Sequence, residues 1–187
     1  MLFLDFYLSN YKEIKKHIEV RTKSKYISSY QYAVAQYNLF NGALTYLTDK
    51  PEKAGKALLN MVSPSNEISF ETQLGMNYIL LISGLDALKK NKNLADKWIN
   101  TAFKNIETLK AKNSFSKRDK LIVRVLKKLK GRDFDFELSE PAIASNMADL
   151  MSSSEYAWTP FSHEIVRLDE WVQSKTKKQK AAAKTTA

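Results

Sequence analysis

The sequence predicts an all-α protein built as an array of antiparallel helical hairpins. The 187 residues include only five glycines and four prolines, which is too few turn-forming residues for a fold of many short strands. Hydrophobic residues make up 44% of the chain, enough for a packed core. Between residues 69 and 109, apolar side chains recur at the spacing of one helix face on either side of a polar turn.

The segment from Ser69 to Leu109 is the clearest hairpin, and residues 89–93 form its predicted turn. Each of its helices carries an apolar stripe with i, i+3 and i+4 spacing. The stripes consist of Phe70, Leu74, Tyr78, Leu81 and Leu85, and of Leu94, Ala95, Trp98, Ile99, Ala102, Phe103, Ile106 and Leu109. The run from Tyr78 to Ile82 is apolar all round, which predicts that neighbouring helices cover the first helix on both sides.

The hairpin recurs along the chain. A displacement of 41 residues aligns Tyr37 with Tyr78, Leu39 with Leu80, Leu44 with Leu85 and Ala54 with Ala95. A second displacement of the same length brings Leu121 and Leu126 into the series, so the first helix is expected three times. Self-similarity at a fixed period is typical of helical repeats, although any two amphipathic helices share some of it.

Helix start and stop signals agree with these boundaries. Pro51 stands where a second helix begins, since its missing N–H does no harm there. Ser116 and Asp119 have the spacing of a capping box, which would open the third copy of the first helix. Gly131 marks the end of that helix. Residues 141–151 are predicted as a short helix. A last helix, opened by Thr159 and Pro160, is predicted to cap the array through a stripe of Phe161, Ile165, Leu168 and either Trp171 or Val172.

These helices define one predicted domain over residues 1–174. A tail of Lys, Ala and Thr over residues 175–187 has no apolar period and is predicted to be disordered. The chain opens with what resembles half a hairpin, with Ser9 and Asn10 as its turn and Tyr11 to Val20 as its second helix. An array needs a cap at its exposed end, so the start is either a native capping helix or a point within a longer array.

Small residues within each hairpin resemble those of a known repeat. The pattern Leu39-x-x-Gly42-Ala43-x-x-Tyr46, Ala54-x-x-x-Leu58-x-x-Met61 and its second copy, which begins Leu80-x-x-Ser83-Gly84-x-x-Ala87, are similar to the tetratricopeptide motif. Small side chains let two helices approach closely. The resemblance covers about residues 25–130, and the period of 41 departs from the usual value of about 34. It implies a right-handed superhelix of hairpins with a C-terminal capping helix.

The resemblance also implies a function. In such arrays the first helices line a concave surface along which a segment of a partner lies. We therefore expect a non-catalytic scaffold for protein–protein interaction, with a protein or peptide as its partner. The groove candidates on the polar faces of the first helices are Asn38, Asn41, Thr45, Thr72, Gln73 and Asn77.

The net charge of +10 leaves a second function open, a nucleic-acid-binding helical domain that uses the basic helix 117–132 and the lysine-rich tail. The basic patch consists of Lys117, Arg118, Lys120, Arg124, Lys127, Lys128 and Lys130. The alternative is a solvated helix face that the acidic segment 133–171 partly neutralises.

No catalytic pattern stands out. The chain has no cysteine, which excludes disulfides, thiolate metal sites and a cysteine nucleophile. His17 and His163 lack a second histidine at zinc-protease spacing, and each is predicted to be a surface residue. We therefore expect no enzyme activity, no metal, no cofactor and no small-molecule substrate. No window approaches the roughly 18 apolar residues of a membrane span, so we expect no membrane partner and a cytoplasmic location.

Overall fold

The computed structural model describes residues 5–6, 8–24, 30–62, 64–129, 158, 162–172 and 174. Helices dominate this part of the chain, and it contains no strand, so the predicted all-α class is confirmed. The helices are α1 (Tyr11–Thr22), α2 (Gln31–Thr48), α3 (Pro51–Leu59), α4 (Phe70–Ala87), α5 (Lys92–Lys112) and α6 (Lys117–Leu129). A short helical segment follows at residues 168–172.

The chain groups into two compact units. The first comprises residues 1–113 with 160–165, and the second comprises residues 114–159 with 166–187. The first unit therefore holds the helices α1 to α5, and the second holds α6 and the helical segment 168–172. The sequence predicts a single domain over residues 1–174.

The hairpin of α4 and α5 is the centre of the first unit. Helix α4 packs most extensively against α5, and it also packs against α3 and α2, while α1 packs against α2. Every residue from Thr72 to Leu85 is buried, which confirms that the apolar run in α4 is covered on both sides. Each fully buried Leu or Ile side chain stabilises a fold by about 1.5–3 kcal/mol, so α4 contributes much of this unit's core.

Local signals fix the starts of three helices. The Ser69 Oγ accepts a hydrogen bond from the Thr72 backbone N–H at 3.2 Å and caps α4. In the same way the Asn91 Oδ1 accepts one from the Leu94 N–H at 3.1 Å and caps α5. Pro51 occupies the first turn of α3. These caps satisfy N–H groups that have no partner inside the helix.

In both hairpins of the first unit, a glycine of the first helix lies close to an aliphatic side chain of the second helix. A Cβ added at Gly42 of α2 would lie 2.8 Å from the Leu58 Cδ1 of α3. A Cβ added at Gly84 of α4 would lie 2.8 Å from the Ile99 Cγ1 of α5. Leu58 and Ile99 stand 41 positions apart, at the predicted repeat spacing. In each hairpin a glycine therefore allows the second helix to approach closely, as the pattern of small residues predicts.

In the second unit, Ser116 caps α6 as predicted. Its Oγ accepts a hydrogen bond from the Asp119 backbone N–H at 3.0 Å and donates one to the Asp119 carboxylate at 2.6 Å. Five apolar residues of α6 are buried, namely Leu121, Ile122, Val123, Val125 and Leu126. Helix α6 therefore turns a continuous apolar surface inward.

The predicted last helix begins later than expected. Residues 162–167 are not helical, and the helix begins at residue 168. The physical reason lies in tertiary packing, because the His163 backbone carbonyl lies against Gly75 of α4. Of the predicted stripe, Leu168 is buried and Ile165 is half-buried, and both of the alternatives Trp171 and Val172 are buried. Gly131, the helix 141–151, residues 159–161 and the tail lie outside the described residues.

None of the helices in the described part of the chain has both the length and the apolar character that crossing a membrane requires.

Candidate functional site

The predicted groove residues do not form one open surface. On α2, Asn41 is exposed, and Asn38 and Thr45 are half-buried. On α4, the side chains of Thr72, Gln73 and Asn77 are all buried. The α4 residues therefore differ from the prediction, because packing on all sides leaves this helix no open polar face.

Gln73 instead forms hydrogen bonds to the segment that connects the hairpin of α2 and α3 to the hairpin of α4 and α5. Its Nε2 donates hydrogen bonds to the backbone carbonyls of Ser65 at 2.8 Å and of Ile68 at 2.6 Å. Its Oε1 accepts one from the Ser65 N–H at 2.8 Å. The side chain amide thus satisfies three backbone groups of the connecting segment, which would otherwise need water or another partner.

Asn77 is part of a second buried network. Its Nδ2 donates to the Gln73 carbonyl at 2.8 Å and to the Val62 carbonyl at 3.3 Å. The Asn105 Nδ2 of α5 donates to the same Val62 carbonyl at 2.9 Å and to the Asn77 Oδ1 at 3.1 Å. Sequence reasoning missed Asn105, although it is a polar residue next to Ile106 of the α5 stripe. This network ties α4, α5 and the connecting segment together.

An open groove lies beside α2, with a cavity volume of about 310 Å³. We call it the α2 groove. Helix α2 contributes residues at i, i+3, i+4 and i+7, which share one helix face. The lining residues are Gln31, Val34, Ala35 and Asn38 of α2, Met61 and Ile68 of the connection, and Met76 of α4. Asn38 is thus the one predicted groove residue that lines it.

A more polar cavity of about 340 Å³ also borders α2 and α4. Its lining comprises Tyr32, Gln36, Leu39, Phe40, Ser69, Glu71, Thr72, Ser162 and His163. The His163 ring lies 5.9 Å from the Tyr78 ring, centroid to centroid. His163 is therefore half-buried against α4 and not the surface histidine that the sequence predicts. His17 on α1 is also half-buried.

The residues of the basic patch on α6 differ in their exposure. Lys117, Lys120, Arg124 and Lys127 are exposed. Arg118 is only 11% exposed, and its guanidinium lies 3.5 Å from the carboxylate of Asp169. The predicted neutralisation by the acidic segment is thus confirmed for Arg118. The side chain of Lys128 and the whole of Lys130 lie outside the described residues.

Asp169 is the centre of an ion-pair cluster in the second unit. The Arg167 guanidinium donates to its carboxylate at 2.7 Å and lies 5.1 Å from the centroid of the Trp158 ring. Burial on its own would raise the pKa of Asp169. The hydrogen bond and charge of Arg167, the Glu170 backbone N–H and the charge of Arg118 outweigh it, and the pKa lies below its usual value. This cluster is a stabilising feature of the second unit.

Metal-binding geometry is not found in the described residues, where no three His, Asp or Glu side chains are grouped to hold an ion. No family model, no curated protein and no solved structure matches this chain.

Proposed function

We propose that this chain is a non-catalytic helical-repeat scaffold, similar to tetratricopeptide proteins, that binds a peptide segment of a partner protein. The two successive hairpins support the proposal. Both pair an 18-residue first helix with a second helix, and both place a glycine of the first helix against an aliphatic residue of the second. Stacked units of one design are the basis of the extended binding surfaces in repeat proteins.

The α2 groove is the observation that carries the proposal. Its lining is mostly apolar, and the amides of Gln31 and Asn38 stand among the apolar side chains. Ligand sites commonly combine an apolar lining with a few polar groups that fix the orientation of the ligand. Met61 supports this assignment, since it is a large apolar residue of the lining and yet 42% exposed.

The chemistry of the groove suggests the kind of peptide. Val34 and Met61 offer apolar contacts to one large aliphatic or thioether side chain of the partner, and the Met61 side chain is flexible enough to adapt to it. The amide side chains of Gln31 and Asn38 can each donate and accept hydrogen bonds, which suits the backbone of an extended peptide. We expect the partner segment to supply an uncharged anchor residue.

The test begins with a library of random peptides displayed on phage and selected against the immobilised chain. The dissociation constants of selected peptides are then measured by fluorescence anisotropy for the wild type and for Met61→Glu. A charge in the groove should weaken binding at least about tenfold, which corresponds to about 1.4 kcal/mol.

Leu47→Glu is the matched control. Leu47 is an apolar residue of α2 with a similar exposure of 39%, and it does not line the α2 groove. Its substitution should leave the affinity unchanged. Peptides that bind both variants as tightly as the wild type would refute the α2 groove as the binding site, and so would a selection that enriches no peptide.

A further inference from the structure

The two second helices of the first unit, α3 and α5, carry lysines on both edges of the groove between them. They meet where a Cβ added at Gly55 of α3 would lie 2.5 Å from the Trp98 Cζ3 of α5. Lys56 directly follows Gly55, and Lys97 directly precedes Trp98. Both lysines are exposed, and they stand 41 positions apart, at the repeat spacing. Each hairpin therefore places a lysine of its second helix beside this contact.

Helix α5 supplies two lysines and a hydroxyl group on its solvent side. Successive residues of an α-helix are separated by about 100° around its axis. Lys97 and Lys104, which are both exposed, therefore lie about 100° and about 120° from Trp98 in the same direction. Thr101 is half-buried and lies about 60° from Trp98 in that direction. The two lysines are separated by about 10 Å along the helix axis.

Helix α3 supplies a lysine and an amide on its solvent side. Lys56 and Asn60 lie about 100° and about 140° from Gly55 in one direction, and both are exposed. In the other direction lies Leu58, which is buried against Gly42 of α2. Together these side chains of α3 and α5 form a surface that we call the lysine groove, namely Lys56, Asn60, Lys97, Thr101 and Lys104.

The acidic residues of α3 and α5 do not neutralise the lysine groove. The carboxylate of Glu52 lies 3.1 Å from the ammonium group of Lys90, outside the groove. Asp96 and Glu107 lie about 160° and about 180° from Trp98, on the far side of α5. Within the described part of the chain, none of the three lysines of the groove has an ion-pair partner. Their charge is therefore open to an external anion.

We propose that the lysine groove binds the phosphate backbone of a nucleic-acid duplex. The ammonium, amide and hydroxyl groups of Lys, Asn and Thr are common donors to phosphate oxygens in protein–DNA complexes. A duplex carries one negative charge for about every 1.7 Å of its axis. Several phosphates therefore lie within the length of the groove in any register.

The overall charge and the position of the groove agree with this proposal. The net charge of +10 supplies the long-range attraction that such binding needs. No residue of the lysine groove lines the α2 groove. The duplex would therefore occupy a site separate from the peptide site proposed above.

The side chains of α3 and α5 restrict what the lysine groove can recognise. The aromatic residues of these helices, Trp98 and Phe103, are buried, so they cannot stack on the bases of a single strand. Contacts to phosphate position a protein on a duplex but do not read its sequence. Binding is therefore independent of sequence. Neither helix exposes a large apolar side chain, so this surface cannot insert an apolar face into a membrane.

The test measures, by fluorescence anisotropy, how the full chain binds a short fluorescein-labelled DNA duplex of mixed sequence from low to physiological salt. If the three lysines each meet a phosphate, the logarithm of the association constant should fall with the logarithm of salt concentration with a slope of about −2.7. Lys56→Gln with Lys97→Gln should change the slope to about −0.9 and weaken binding at low salt at least about tenfold. Glutamine has a helix propensity close to that of lysine, so this variant should fold, which circular dichroism checks.

Lys12→Gln with Lys16→Gln is the control for net charge. These two residues of α1 are exposed, and their replacement gives the same change in charge. The control should retain most of the affinity and the wild-type slope. Lys56→Arg with Lys97→Arg should preserve binding, since arginine keeps the positive charge and the donors that a phosphate contact needs.

Three results would overturn the proposal. The first is a wild-type chain that does not bind the duplex even at low salt. The second is an equal loss of affinity in both glutamine pairs, which would mean that net charge alone decides binding. The third is preferential binding of polyglutamate or of phosphatidylserine vesicles through Lys56 and Lys97, which would assign the lysine groove to an acidic protein or to a membrane surface.

Discussion

Replacing Asn105 by alanine should lower the free energy of unfolding by about 2–4 kcal/mol. Asn105 lies in the buried network that joins α5 to α4 and to the segment between the hairpins. Its amide donates two hydrogen bonds, to the Val62 carbonyl and to the Asn77 Oδ1. Alanine removes both donors at once.

The size of this loss follows from the hydrogen bonds that Val62 and Asn77 keep once the Asn105 amide is removed. The Val62 carbonyl keeps the donor from Asn77 at 3.3 Å, so it loses one bond of about 1 kcal/mol net. The Asn77 Oδ1 loses its donor in a fully buried side chain, and an unsatisfied buried acceptor costs about 1–3 kcal/mol. The sum is a large share of the roughly 5–15 kcal/mol that stabilises an ordinary domain.

Urea unfolding followed by circular dichroism measures this difference. Asn100→Ala is the matched control, because Asn100 lies on the same helix and is exposed. It should change stability by less than about 0.5 kcal/mol. A double-mutant cycle with Asn77→Ala should give a favourable coupling energy between the two asparagines. A loss below about 0.5 kcal/mol for Asn105→Ala, or equal losses at both positions, would refute the network's role.

Two further substitutions test packing and charge. A Cβ at Gly55 would lie 2.5 Å from the Cζ3 of the buried Trp98. Gly55→Ala should therefore destabilise by about 1–3 kcal/mol, despite gaining about 1 kcal/mol of helix propensity, and a raised thermal midpoint would contradict this. Asp169→Asn removes the carboxylate that Arg118 and Arg167 share, although Arg167 keeps its ion pair with Glu170 at 2.7 Å, and it should destabilise by about 1–3 kcal/mol at neutral pH. Because the folded pKa of Asp169 is lowered, its contribution is complete above the unfolded value of about 3.9 and disappears as the pH falls through the folded value. The free energies of unfolding of wild type and variant, measured by urea titration, should become equal in strong acid. A difference between them that does not change with pH would argue against the ion pairs.

Local signals were sufficient to predict the starts of α3 and α6. Pro51 and Ser116 act within one helical turn of their own position, so a single sequence contains everything that these two starts require. The same holds for the burial of α4, because a run that is apolar on every side can be stable only where other elements cover it. These features depend on neighbours in sequence, and the structure has them as predicted.

The buried polar residues could not be placed from sequence. Periodicity identifies Gln73 and Asn77 as polar residues of a first helix, but it does not tell whether a backbone carbonyl lies opposite them. The partner carbonyl of Asn105 is 43 positions away, and its partner amide is 28 positions away. A polar residue inside an apolar stripe is the only local sign of such a network, and it does not name the partner.

The conformation of the carboxyl-terminal segment could not be predicted from sequence either. Thr159 and Pro160 are good helix-opening residues, yet residues 162–167 are not helical. The sequence carries no sign that this backbone would lie against a glycine almost 90 positions earlier. Contacts at this separation depend on the tertiary fold, and they override local helix propensity.

Gly75→Ala tests whether that long-range contact fixes the segment. A Cβ at Gly75 would lie 2.5 Å from the His163 carbonyl oxygen, and a backbone atom cannot yield as a flexible side chain can. Residues 162–165 should therefore move away from α4, and their amides should exchange hydrogen faster in mass-spectrometric exchange experiments. Gly42→Ala is the control, since its Cβ would meet only the end of the Leu58 side chain at 2.8 Å, and it should leave exchange at 162–165 unchanged. Equal exchange in wild type and Gly75→Ala would mean that other contacts hold the segment, and Gly75 would then be a tolerated small residue of α4 with no role in docking it.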